Sequence, residues 1–167
     1  MGRSPASHRL RAVTAGAVAA ALVTGCGAGF QAQSQQIYQP AVGVNDRSGS
    51  VYTINTLVVT DGKGDGTIIA ALINQARQDD TLHEVSATDG SSKALAVKPL
   101  AHGGVALASG QSVQLADSGA VRVSGKSLEA GSLVTVTFTF AQAAPITVDA
   151  PVVSNRSSVY SNVPVGR

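Results

Sequence analysis

The sequence predicts an all-β domain, an antiparallel β-sandwich of immunoglobulin-like architecture, and three observations lead there. The first is strict alternation in Val134-Thr135-Val136-Thr137-Phe138-Thr139-Phe140, with Val and Phe on one face and Thr on the other, the pattern of a half-buried strand. The second is the recurrence of turn signals at Asp89-Gly90, Gly103-Gly104, Ser109-Gly110, Ser118-Gly119 and Ala130-Gly131, which leaves room for short strands between them. The third is composition: no Trp, only six aromatic residues, and many Val, Thr, Ser and Gly, a bias toward strand over helix.

The elements follow in chain order. Residues 1–25 read as a leader. Arg3, Arg9 and Arg11 form a basic start with no acidic residue, and an apolar run follows over 12–23. That run is shorter than the roughly 20 residues a membrane helix needs, so it fits a signal-peptide core. It ends in Val23-Thr24-Gly25-Cys26, which resembles the bacterial lipobox, with Val23 where Leu is commonest. The resemblance implies cleavage by signal peptidase II between Gly25 and Cys26, a diacylglyceryl thioether on the Cys26 sulfur, and often a further acyl chain such as palmitate on the new amino terminus. Two or three chains give stable anchoring where one gives only marginal binding. Cys26 is the sole Cys, so no disulfide forms within the chain. A lone free thiol would also be a liability in an oxidising compartment. The expected location is the extracytoplasmic face of the cell membrane.

Loss of the leader removes three of twelve basic residues and no acid, so the net charge falls from +2 to −1 over 142 residues. The pI of 8.9 thus belongs to the leader, and a nucleic-acid partner is disfavoured. A length of 142 residues suits one domain with one core.

Residues 26–49, with Gly27-Ala28-Gly29, Gln31 to Gln36 and Pro40, lack a sustained period and are expected to form a flexible tether. The body, 50–153, holds expected strands at 51–60, 67–74, 81–88, 94–98, 105–108, 112–115, 120–123, 134–140 and 146–149. In the window 68–77 a helical face of Ile68, Ile69, Leu72, Ile73 and Ala76 competes; strand is preferred because strands surround it. The tail, 154–167, rich in Ser and Asn with Pro164 and Gly166, is expected to be flexible.

Chemical constellations are sparse. Asp61-Gly62-Lys63-Gly64-Asp65-Gly66 has the outline of a calcium loop. It places Lys63 at the third ligand position and Leu72 at the twelfth, where oxygen donors belong; a hairpin turn accounts for it. No helix with a Lys-Ser/Thr pair follows to make a phosphate cradle, and no Gly-x-Ser-x-Gly occurs. Asp79 and Asp80 are neighbours, so on a strand they point oppositely. His83, beside Glu84, and His102 are the imidazoles of the mature chain; they are read as solvated surface residues, with a degenerate zinc or copper site as the alternative. No catalytic residue and no cofactor are expected.

A family resemblance rests on Ala70-Ala71-Leu72-Ile73-Asn74, on Asp80-Thr81-Leu82, on Leu128-Glu129-Ala130-Gly131 leading into the alternating strand, and on Pro145-Ile146-Thr147-Val148. Together these resemble the periplasmic copper chaperone PCu(A)C-like domain, particularly its lipobox-bearing actinobacterial relatives, over residues 50–153. The resemblance implies a cupredoxin-like or immunoglobulin-like sandwich. In that family copper is held by a His, a Met about ten residues later, and a His-x-Met pair before the Leu-x-x-Gly turn, soft donors suited to Cu(I). The pair would fall near Gly119-Ala120-Val121-Arg122-Val123, and the single Met of the chain is Met1, so the copper ligands are missing. The expected function is a non-enzymatic binding or envelope-support lipoprotein, partnered by an envelope protein or wall component. The alternative is a copper chaperone or metal-binding protein with a degenerate site.

Overall fold

The computed structural model describes residues 42–117 and 121–165, all within a unit running from Ala41 to Arg167. The leader, Gly25, Cys26, most of the expected tether and Gly119-Ala120 lie outside the described residues.

Among the described residues ten strands occur, in the order β1 Val44–Asp46, β2 Val51–Thr60, β3 Asp65–Asn74, β4 Asp80–Asp89, β5 Ala96–Val97, β6 Val105–Leu107, β7 Ser112–Gln114, β8 Val121–Ser124, β9 Leu133–Phe140 and β10 Ile146–Ser154. One 3-10 turn, Ala101–Gly103, interrupts them. The sequence of neighbours is β5-β8-β3-β2-β10-β9-β4-β6, with β1 beside β2 and β7 beside β3. The all-β class is as expected. The window 68–77 is strand through Asn74, because Ile68, Ala70 and Leu72 are needed on one face of the core and β-branched Ile suits a pleated surface.

The pairing is antiparallel but for one seam. β10 runs antiparallel to β9 from Ile146 to Pro151, then parallel to β2 from Val152 to Ser154. It is therefore five residues longer than the stretch 146–149 predicts. Pro151, which has no N–H to give a ladder, stands where β10 changes partner. There Val152 takes over, its N–H donating to Ser132 and its carbonyl accepting from Gly131.

On the far side the sheet is drawn together by residues 93–97. The carbonyl of Lys93 accepts from Asp89, and the N–H of Leu95 donates to Ala87 of β4. Two residues on, Ala96 and Val97 pair with Ser124 and Val123 of β8. The two ends of the curled sheet are thus stitched across one short segment. Paired structure also reaches into both flanks of the expected body: β1 falls in the stretch expected as tether, and Thr67 donates to the carbonyl of Pro164 at 2.7 Å in the expected tail.

The core lies inside this curl. Val134, Val136, Phe138 and Phe140 are buried together with Val58, Ile68, Leu72, Leu82, Leu107 and Leu128, while Thr135, Thr137 and Thr139 are half-exposed. The turn after β2 is a hairpin: Asp61 Oδ1 accepts from the N–H groups of Lys63 and Asp65. Gly62 and Gly64 supply the positive φ angles of 74° and 99° it requires.

Candidate functional site

β4 breaks its own alternation. Leu82 and Val85 are buried, but His83 and Glu84 between them are both exposed. The cause is a β-bulge: Leu82 pairs with Phe140 and Glu84 with Thr139, so His83 is the extra residue opposite β9. A bulge re-aims side chains that a regular strand would send to opposite faces. Here it turns an imidazole and a carboxylate outward side by side.

The same stretch of β4 lies where its outer edge changes neighbour. Residues Asp80 to Leu82 pair with β6, and Ala87 and Asp89 bond the segment 93–95. Between these two seams opens a cleft of about 510 Å³, lined by His83, Glu84 and Val85 on one side and by Val97, Lys98, Pro99, Leu100 and Gly103 on the other. Its far wall is held at both ends. Lys98 N–H donates to the carbonyl of Arg122 at 2.9 Å, and Pro99, lacking an N–H, ends that pairing. Gly104, at φ 150°, closes the 3-10 turn against β4; a Cβ there would come 2.7 Å from the Leu82 carbonyl oxygen, too close for any other residue.

His102 sits in that turn, exposed, at φ 55°. Its neighbour Gly103 lines the cleft while His102 does not, so the fold brings the two histidines to one region without joining them in one lining. Among the described residues no three His, Cys, Asp or Glu side chains group closely enough to hold a metal ion. A position ten or so residues after His83 is Lys93 or Ala94, both exposed. Arg122 and Val123 lie across β5 in a separate hollow of about 300 Å³ that Lys98 also lines. The donors of the cleft are one imidazole and one carboxylate, and the Lys98 ammonium adds a like charge for any cation entering. This set does not fit Cu(I), which wants thioether or thiolate; it is closer to what Cu(II) or Zn(II) accepts.

Two residues of the sequence patterns prove to be internal fasteners. Asn74 Nδ2 donates to the carbonyls of Gln78 and Leu107, and its Oδ1 accepts from Ala76 N–H. Asp80 is buried and accepts from the N–H groups of Thr81, Gln142 and Ala143. Asp79 is exposed and accepts instead from Ser109, so the adjacent carboxylates do point apart. The bulge at His83 was not anticipated, although two polar residues between Leu82 and Val85 are its trace in the sequence.

No family model and no curated protein matches this chain. Solved structures do match it. A copper-bound PCuAC domain from PmoF2 is similar with a TM-score of 0.53 at 19% identity, covering 66% of this chain and 98% of that domain. The apo PCuAC domain from PmoF1 gives 0.53 at 20% identity, over 66% and 99%. The apo PmoF2 domain gives 0.50 at 17%, over 66% and 95%. The chain has the PCuAC β fold. At these identities the likeness is one of fold, and the nearly complete coverage of each neighbour means that the curled sheet as a whole corresponds, not one motif within it.

Proposed function

We propose that this chain is an extracytoplasmic, lipid-anchored domain of the copper-chaperone type, non-enzymatic, with its metal-handling face at the His83 cleft. The carrying observation is that a PCuAC domain described as copper-bound shares this fold over almost its entire length. The bulge supports it by presenting His83 and Glu84 outward at a concave surface. Cys26, as the lipidated first residue of the mature chain, would hold the domain at the membrane. With no Met beyond Met1, the cargo this donor set favours is Cu(II) or Zn(II) rather than Cu(I).

One observation favours a second reading, a binding module for an envelope protein or wall component that handles no metal. The cleft holds one imidazole beside the cation Lys98, a poor electrostatic setting for a metal ion. Metal titration of the untagged mature chain carrying Cys26→Ser separates the two. Stoichiometric Cu(II) binding that is lost in His83→Ala, weakened in Glu84→Gln and kept in His102→Ala is expected. Binding no tighter than that of a chain carrying both His83→Ala and Glu84→Gln would remove the chaperone reading and leave the second.

A further inference from the structure

We propose that the ribbon formed by β5 and β8 is a docking surface for anionic lipid headgroups. Lys93 and Lys98 bracket β5, Arg122 lies in β8, and Lys126 follows it two residues on. Because Ala96 pairs with Ser124 and Val97 with Val123, the four cations fall in two pairs at opposite ends. Lys98 and Arg122 line one hollow of about 300 Å³, and Lys93 and Lys126 line another of about 270 Å³. The three lysines are exposed.

The ribbon is charged against the trend of the molecule. Of the eight Lys and Arg among the described residues, these four lie here, whereas only Asp65 and Asp89 of the ten acids line the same hollows. Asp89 accepts from the N–H groups of Ser91 and Lys93 in its own turn and from the Ser127 hydroxyl 38 positions on, so the count on the ribbon stands at four cations against two acids. Outside these hollows the described residues carry four cations and eight acids, of which Asp80 is buried. A domain with this separation turns one edge toward a negative surface and the rest away from it.

The composition between the cations favours lipid over an acidic protein. Ala94 and Ala96 are exposed and Val97 half-exposed, between Lys93 and Lys98. Small apolar residues flanked by lysines suit the headgroup boundary, where ammonium groups reach phosphate and stems lie along apolar surface. That the membrane concerned is the chain's own follows from the lipidation of Cys26 proposed above. Cys26 lies 18 positions before Val44, enough chain to span up to about 60 Å when extended. An acyl anchor joined to a basic patch is a two-signal attachment, which holds where a single weak signal does not.

The test uses the mature chain carrying Cys26→Ser, so that no lipid contributes, co-sedimented with vesicles of phosphatidylcholine alone or with about a third phosphatidylglycerol. The expected result is binding to the anionic vesicles only, reversed by about 0.5 M salt. Lys93→Ala, Lys98→Ala and Lys126→Ala together should lower partitioning by about tenfold or more. Lys63→Ala, Arg77→Ala and Arg156→Ala together should leave it within about twofold, both variants keeping the wild-type circular dichroism. Equal partitioning onto neutral vesicles, no binding to either, or equal loss in both variants would overturn the proposal. Tighter binding to a soluble acidic polypeptide than to the anionic vesicles would reassign the ribbon to a protein partner and overturn it as well. Fatty-acid labelling of the wild type decides the anchor separately: vesicle binding without labelling would refute lipidation and leave the ribbon standing.

Discussion

The side-chain amide of Asn74 donates to the carbonyl of Leu107, 33 positions along the chain, at 2.9 Å. Asn74 ends β3 and Leu107 ends β6, so this bond ties together two strands that do not neighbour each other in the sheet. The backbone of Asn74 bonds Gln111 and Gly110 in the same corner. A fully buried residue thus anchors the β3–β4 loop and the β6–β7 turn at once, and the cleft at His83 lies on the strand that this loop delivers.

Asn74→Ala should therefore cost about 2–4 kcal/mol, since it leaves the buried carbonyl of Leu107 and the part-buried carbonyl of Gln78 without this donor. Urea melts measure this. A midpoint unchanged from wild type would mean the corner holds without its amide.

Phe138→Ala should cost about 3–5 kcal/mol, because Phe138 is the largest fully buried side chain among the described residues and its removal opens a cavity in the core. Thr137→Ala should cost well under about 1 kcal/mol, losing an exposed contact with Thr147. The opposite order in denaturant would mean that the faces of β9 are reversed.

Ser127→Ala should raise the Asp89 pKa toward the ordinary carboxylate value. The Ser127 hydroxyl is the main cause of its lowering, followed by the Lys93 backbone N–H, with Ser91 and the Lys93 charge adding smaller effects. A carboxylate whose folded pKa is depressed contributes stability above its unfolded pKa, and that contribution fades as pH falls through the folded value. Carboxyl carbon shifts followed by NMR from about pH 6 to 2 give the titration directly. Identical midpoints in wild type and variant would show that the Ser127 bond does not form in solution.

Cys26→Ser should abolish incorporation of an alkyne fatty acid in cells, with uncut precursor retained or a soluble product released. Label on the variant equal to that on the wild type would end the lipoprotein reading.

The sequence by itself determined most of the strands and the inward face of β9. Val134, Val136, Phe138 and Phe140 in β9 could be assigned because side-chain direction alternates with a period of two along a regular strand, a local property. The same locality makes the Asp61 to Gly66 turn legible, since glycine's access to positive φ needs no partner. Only the tertiary structure decided the rest. Whether Pro151 ends a strand or marks its change of partner depends on β2, some ninety residues earlier. The bulge at His83 exists only relative to β9, and the hollow beside it only because residues 93–97 leave β4 to join β8. The gathering of four cations on one ribbon likewise arises from strand pairing, which no spacing along the chain reveals. Contacts between distant residues place the candidate site; periodicity places only the strands that carry it.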